Sequence, residues 1–237
     1  MYKNIKALDY VFCNSGALVE NQNITLKKID MGELYLESGE IVAADPFVLF
    51  EIDSFKVTVP RGSYNVSIFI AEMAPISLPE PPEPKGLKKF FNKKKEKTVP
   101  VDAAPDKRVA LACLKFSDKK AISWEMAMTG KEKFSDNMKD DSFFGYGVDS
   151  GTGGFMDKII ADKLSSYDDL YSEVSDEMDK TYEHTYSYIL TNITKCGKND
   201  FAAFSSGWGD GAYPSYFGFD EDGKPCVLVT DFMIIEK

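Results

Sequence analysis

The feature of the sequence that most constrains the fold is a proline- and lysine-rich segment at residues 75–105. This segment holds 7 of the 11 prolines of the chain. Because proline removes a backbone donor and fixes φ, the segment cannot extend a β-sheet. Its composition predicts an extended, partly disordered loop. Within it, residues 85–97 carry seven lysines against one glutamate, a side-chain charge of about +6.

Strand-like segments lie on both sides of this loop. Apolar residues alternate with polar ones at 55–59 and at 66–70, and the Pro-Arg-Gly turn at 60–62 predicts a hairpin between them. After the loop, residues 109–114 are apolar on both faces, which is typical of an interior strand. The loop is therefore interpreted as an insertion that links two strands of one sheet, within a single domain of residues 1–237.

The second half of the chain predicts helices. Residues 155–164 place apolar side chains on one helical face, and a tyrosine-rich stripe follows at three- and four-residue steps over six turns. The stripe is expected to be buried, and it consists of Tyr167, Tyr171, Val174, Met178, Tyr182, Thr185 and Ile189. His184 lies on the opposite, charged face of the same predicted helix. Residues 121–130 fit a short helix that ends at Gly130, and a strand is the alternative.

The chain returns to β-structure at its end. Residues 201–204, 213–219 and 227–232 are strand-like, and the Asp-Glu-Asp-Gly turn at 220–223 predicts a hairpin that closes the core. Together these patterns predict an α+β fold with mainly antiparallel β-sheets and a helical pair packed against them.

Charge and composition restrict the functional classes. The chain has 38 acidic and 28 basic side chains, a net charge of −10. Such a field repels nucleic acid and anionic lipid and attracts basic partners, so no DNA is expected as a partner. No apolar run is long enough to cross a bilayer, and charged residues interrupt the first apolar stretch, so we expect a cytoplasmic protein. Four separated thiols are expected to be reduced: Cys13, Cys113, Cys196 and Cys226.

The motifs of common hydrolases and nucleotide-binding enzymes are absent from the sequence. It contains one histidine, His184, and no Gly-x-Ser-x-Gly, Gly-x-x-x-x-Gly-Lys or His-Glu-x-x-His pattern. A serine or cysteine nucleophile needs a base beside it. The sequence therefore assigns no catalytic residue and favours a protein that is not an enzyme.

Two loops rich in glycine and aspartate, at residues 148–157 and 206–213, are the most specific features of the sequence. If the fold brings them together, their oxygen ligands for a hard divalent cation are Asp149, Asp157 and Asp210. Neither loop has the spacing of a calcium-binding loop. The structural alternative is that the aspartates cap turns, the glycines supply positive φ, and Trp208 lies over the loop.

The glycine cluster at 145–154 has two further interpretations. Its backbone amides could cradle an anion, although Asp149 in their midst repels phosphate. Alternatively it is a tight strand-to-helix crossing with Thr152 or Asp157 near the helix cap. The candidate binding residues are Asp45, Asp149, Gly151, Thr152, Trp208, Asp210 and Tyr213.

Five segments in order along the chain resemble the bacterial domain-of-unknown-function family 4241 (DUF4241). They are SGEIVAADP at 38–46, GSYNV at 62–66, YGVDSGTG at 146–153, GWGDGAYP at 207–214, and GFD to LVTDF at 218–232. The proline- and lysine-rich segment departs from this pattern. The resemblance implies a bacterial cytoplasmic protein, and it transfers no activity and no catalytic residues. In size and acidity some members resemble immunity proteins that neutralise toxins, which is an analogy.

Three functional hypotheses follow. The first is a non-catalytic binding protein, with an immunity-type inhibitor of a basic toxin as its specific form, in which Trp208 and Tyr213 anchor an interface. The second is a metal-dependent hydrolase or metal-binding protein that uses Asp45, Asp149, Asp157 and Asp210. The third is attachment to anionic membrane or RNA through the lysines of 85–97. No cofactor is expected apart from the divalent cation of the second hypothesis.

Overall fold

A computed structural model of the chain describes residues 8, 24–49, 52–73, 105–133, 142–166 and 169–235. Its strands are β1 (Ile24–Leu36), β2 (Ile41–Ala44), β3 (Gly62–Met73), β4 (Asp106–Lys115), β5 (Ser123–Met126), β6 (Tyr146–Val148), β7 (Thr152–Asp157), β8 (Tyr188–Thr191), β9 (Phe201–Ser205), β10 (Gly211–Tyr213), β11 (Ser215–Phe219) and β12 (Pro225–Asp231). Its helices are α1 (Lys158–Leu164) and α2 (Leu170–Asp179).

The strands form three sheets in which all neighbours are antiparallel. The largest has six strands in the order β1-β3-β4-β12-β11-β5. A second sheet has the order β2-β7-β9-β8, and β10 pairs with β6. The α+β class with mainly antiparallel sheets is therefore confirmed. Since β3 and β4 are neighbours, the insertion links two strands of one sheet as predicted, although residues 75–104 themselves lie outside the described part.

The four-stranded sheet lies between the six-stranded sheet and the two helices. Alternate residues of β2 and β7 pack into two different hydrophobic cores, because successive side chains of a strand point to opposite faces of the sheet. Ile41 and Phe155 join the large core shared with the six-stranded sheet. Val42 and Met156 join a second core, which contains the buried faces of α1 and α2. The arrangement is a three-layer β/β/α structure that buries both faces of the middle sheet.

The hairpin predicted from 55–59 and 66–70 is wrong. β3 pairs with β1 along one edge and with β4 along the other. No edge of β3 is therefore left for residues 55–59 to pair with. Residues 55–59 instead run beside β2, where the Phe55 amide donates to the carbonyl of Ile41 at 2.9 Å. Alternation indicates a strand-like segment, but it does not choose the partner of that segment.

The prediction of one long helix that carries the tyrosine-rich stripe is also wrong. Helix α2 ends at Asp179, and Ile189 belongs to strand β8. Val174 is buried as predicted, whereas Tyr171 and Tyr182 are 66% and 61% exposed. A turn separates helix from strand, and in it the exposed His184 has a φ of 44°, so this histidine does not lie on a helix face. Tyr167 lies outside the described residues.

Other local predictions have mixed outcomes. Phe155 belongs to β7, and the helix begins three residues later at Lys158, with Asp157 as its N-cap. Residues 123–126 form a strand, which was the alternative to a helix there. The final hairpin is confirmed, since β11 pairs with β12 and Gly223 in the connecting turn has a φ of 69°.

In the described ranges, no helix combines the length and apolar character that a bilayer crossing requires.

Candidate functional site

The two loops rich in glycine and aspartate meet in the folded chain. Strand β6, which precedes the first loop, pairs with β10 at the end of the second. The amide of Ser206 donates to the carbonyl of Gly151 at 3.0 Å, which joins the loops directly. Gly151 and Gly209 have φ values of 69° and 95°, so both use the left-handed conformation that glycine adopts without strain. Thr152 is buried at the start of β7.

Asp45 is the residue that fixes the first loop. Its carboxylate is 2% exposed and follows directly after β2. It accepts the amides of Asp149 and Ser150 at 2.9 and 2.8 Å, the hydroxyl of Ser150 at 2.8 Å and the amide of Phe47 at 2.9 Å. Four protein donors satisfy this buried charge, so Asp45 anchors the loop as a structural residue.

Asp157 has a comparable structural role at the other end of β7. It is fully buried and accepts the amide of Ser38 at 2.8 Å, that of Gly39 at 3.1 Å and that of Ile159 at 3.0 Å. The hydroxyl of Ser38 donates to the same carboxylate at 2.9 Å. Asp157 therefore caps helix α1 and ties it to the turn before β2.

The structure does not gather the predicted metal ligands into one site. Asp45 and Asp157 direct their oxygens at protein donors, and Asp149 and Asp210 are exposed on their loops. Within the described ranges, no group of three or more histidine, cysteine or acidic side chains is arranged to hold a metal ion. The geometry at Asp45 and Asp157 is that of the structural alternative, in which aspartates cap turns.

Trp208 projects from the second loop and is 55% exposed. The guanidinium carbon of Arg108 lies 4.6 Å from the centre of its ring, within the range of a cation–π contact. Arg108 is held in turn by the carboxylate of Asp106 and the carbonyl of Gly207, both at 3.0 Å. Sequence reasoning missed Arg108 and Asp106, because nothing local indicates that the start of β4 lies beside this loop.

Tyr213 is not an exposed partner of Trp208. It is 3% exposed, and its ring centre lies 5.0 Å from that of Phe232. Its hydroxyl donates to the carbonyl of Gly209 at 2.9 Å. Burial raises the pKa of Tyr213, so the phenol stays protonated and keeps this hydrogen bond. The expectation that Tyr213 anchors an interface is therefore wrong, and its role is to hold the loop that presents Trp208.

A cleft of about 420 Å³ opens on the other side of the first loop. It lies between the end of β2, the segment that follows β5, and the start of β6. Its acidic lining residues are Asp45, Asp53, Glu132 and Asp149, and its large apolar ones are Val48, Ile52, Phe55 and Phe144. Burial raises the pKa of Glu132, but hydrogen bonds from the backbone, those of Thr129 and Gly130 among them, outweigh it and lower the pKa below its usual value.

Among the side chains that the structure describes, no nucleophile is assembled with a base. Among the described residues, no hydrogen bond joins the side chain of His184 to a serine or a cysteine. Cys113 and Cys226 are buried, and burial raises the pKa of both thiols. Cys196 is exposed in the loop between β8 and β9.

Comparison with known proteins identifies a family for the chain. A family described as "Protein of unknown function (DUF4241)" matches residues 85–230, which is more than half of the chain. The matched range contains both glycine- and aspartate-rich loops, whereas the segments 38–46 and 62–66 precede it. No curated protein and no solved structure matches the chain significantly.

Proposed function

This chain belongs to the DUF4241 family, and we propose that it is a non-catalytic protein that binds a basic protein partner through Trp208. The Trp208 surface is defined here as Trp208, Arg108 and the two exposed loop carboxylates, Asp149 and Asp210. The single observation that carries the proposal is that Trp208 is exposed and at the same time held in place by Arg108.

Rigid exposed aromatic side chains suit binding. Tryptophan and arginine are enriched among the residues that dominate interface energies. The side chain of Arg108 is fixed by Asp106 and Gly207 before any partner arrives, and the loop itself is fixed by the hydroxyl of Tyr213. Little conformational freedom is therefore lost when a partner covers the indole, and pre-organisation of this kind raises affinity.

Charge supports a basic partner. The net charge is −10 although residues 85–97 contribute about +6, so the rest of the chain carries about −16. Such a field accelerates encounter with a basic protein and repels acidic competitors. Asp149 and Asp210 lie exposed on the two loops, which are joined by the β6–β10 pairing and the bond from Ser206 to Gly151. An immunity-type inhibitor of a basic toxin is the specific form of this proposal, and the lack of a paired nucleophile and base among the described side chains supports a non-catalytic role.

The test uses the purified chain as bait for host proteins and for the products of neighbouring reading frames. The variant Trp208→Ala is compared with wild type and with the control Tyr171→Ala, which removes another exposed aromatic side chain, from α2. A basic protein should be retained by wild type and by the control. Its affinity, measured with the purified partner by calorimetry, should fall about 30-fold in Trp208→Ala. Undiminished binding by Trp208→Ala contradicts the proposal, as does recovery of no partner.

Attachment through residues 85–97 is a separate proposal that rests on their charge alone. Binding to anionic vesicles or to RNA should weaken steeply as salt is added and should disappear when 85–97 are deleted. Binding that survives this deletion contradicts it.

A further inference from the structure

The cleft beside the first loop shares one residue, Asp149, with the Trp208 surface, and its other lining residues lie outside that surface. Asp149 lines the cleft, and Asp149 belongs to the loop whose Gly151 is bonded to the Trp208 loop. The first loop therefore contacts the Trp208 loop and also lines the cleft. Its volume of about 420 Å³ falls in the range of sites that enclose a small molecule or a long side chain.

The charges in the cleft have one sign. Four carboxylates line it, and no lysine, arginine or histidine is among its described lining residues. Asp45 is satisfied by backbone and hydroxyl donors, and Asp53 pairs with Lys131 at 2.7 Å. Two carboxylates therefore remain for a ligand, those of Glu132 and Asp149.

Glu132 and Asp149 are suited to a cation in different ways. Each oxygen of Glu132 accepts one backbone amide at 2.6 Å, from Thr129 and Gly130, and these bonds hold the group ionised and oriented. The amide of Glu132 itself and the hydroxyl of Thr129 are further donors to this carboxylate, so what it offers a cation is mainly its negative charge. Among the described residues, the Asp149 carboxylate has no hydrogen bond or ion pair of its own.

The remaining walls are apolar. Val48, Ile52, Phe55 and Phe144 border the cleft and can contact a hydrocarbon chain. Apolar walls with a few fixed polar groups are the general character of ligand sites in proteins. Lysine and arginine side chains match this lining, because each carries a cation on a flexible apolar stem.

We propose that the cleft receives an arginine or lysine side chain of the basic partner, with Glu132 and Asp149 pairing with its charge. This inference rests on the proposed function. It explains how the protein would select its partner, because only a partner with a suitably placed basic side chain could fill the cleft while it contacts Trp208. Arginine suits the site best, because its planar guanidinium can donate to two carboxylates at once.

The test uses a short peptide, Ac-Gly-Gly-Arg-Gly-Gly-NH2, and its citrulline counterpart, which has nearly the same shape without the charge. In ¹⁵N-resolved NMR titrations the arginine peptide should shift the amides of Thr129, Gly130, Gly145 and Gly147, which belong to residues in or beside the cleft. The citrulline peptide should not. Affinity for the arginine peptide should fall about tenfold in Glu132→Gln combined with Asp149→Asn. It should also fall in Val48→Trp, which fills the cleft and leaves its charges in place.

The outcomes separate this inference from the proposed function. Trp208→Ala should leave the binding of so short a peptide unchanged, so its loss of the protein partner tests the Trp208 surface alone. Equal binding of the citrulline peptide, or no shift up to about 10 mM peptide, overturns the cleft proposal. Binding of free agmatine without binding of the arginine peptide overturns it too, because the cleft then takes a small amine and excludes a side chain attached to a backbone.

Discussion

The buried carboxylate of Asp45 accepts both the backbone amide and the hydroxyl of Ser150, each at 2.8 Å. These two residues are 105 positions apart in the chain. Their contact positions the loop that carries Asp149, a residue of the Trp208 surface that also lines the cleft. The loop geometry therefore depends on a buried residue that is distant in the sequence.

Replacement of Asp45 by asparagine should destabilise the fold. An asparagine side chain has a single acceptor oxygen, whereas four donors converge on the Asp45 carboxylate, so at least one buried donor loses its partner. We expect the free energy of unfolding to fall by about 2 kcal/mol, measured by urea denaturation. Asp210→Asn, at an exposed position of the second loop, should change it by less than about 0.5 kcal/mol. A variant Asp45→Asn with the wild-type urea midpoint contradicts this account.

Asp157→Ala should lower the free energy of unfolding by more than Asp45→Asn does. The change removes the N-cap of α1 together with the acceptor for Ser38 and Gly39. The expected loss is about 3 kcal/mol in the free energy of unfolding. Asp162→Ala is the matched control, because this aspartate lies in the same helix and its ion pair with Lys158 is exposed. Equal stabilities of the two variants would show that the buried network contributes little.

Gly39→Ala should disrupt the turn before β2. Gly39 has a φ of 80°, and a Cβ there would collide with the carbonyl oxygen of Val59, which is backbone and cannot swing aside. Gly223→Ala is the control, since Gly223 has a similar φ of 69° and no atom within 4 Å of the added carbon. The control should lose about 1 kcal/mol from φ alone, and Gly39→Ala should lose at least about 2 kcal/mol more. Similar losses in thermal or urea unfolding would count against the clash.

Asp220 should make part of the stability dependent on pH. A hydrogen bond from the amide of Lys224 lowers its pKa below the ordinary value of 3.8, and the Asp222 amide and the Lys119 charge act in the same direction. The ionised form is therefore favoured by folding. Its contribution is fully present above pH 3.8 and is lost as the pH falls through the lower pKa of the folded state.

The measurement compares wild type with Asp220→Asn by urea denaturation at neutral and acidic pH. The variant should be less stable at neutral pH, and the difference between the two proteins should shrink as the pH falls below about 4. A difference that stays constant over this range means that the charge of Asp220 has no part in the stability of the turn.

Deletion of residues 226–237 should unfold the protein. The deletion removes nearly all of β12, which lies between β4 and β11 in the interior of the six-stranded sheet. Leu228, Val229 and Phe232 are fully buried, and their loss leaves both neighbouring strands unpaired along one edge. Circular dichroism and thermal melting should show no cooperative transition. A truncated chain with the melting temperature of the full chain would refute this role of β12.

The sequence determined those features that local pattern controls. Residues 109–114 are apolar on both faces and form an interior strand, and the turn at 220–223 forms the final hairpin. The two loops could be identified from their glycine and aspartate content. Each of these predictions depends on neighbours a few positions apart, where backbone preferences and side-chain period act directly.

Tertiary structure decided which segments meet. The alternation at 55–59 did not give that segment a place beside β3, because β1 and β4 occupy both pairing positions there. The stripe from Tyr171 to Ile189 has helical spacing, yet the chain leaves the helix at Asp179 to supply an edge strand of the four-stranded sheet. Arg108 contacts Trp208 from a strand that is distant in the sequence. Burial energy depends on the complete set of contacts, so pairing, loop anchoring and the shape of the cleft follow from the assembled sheets and not from any local pattern.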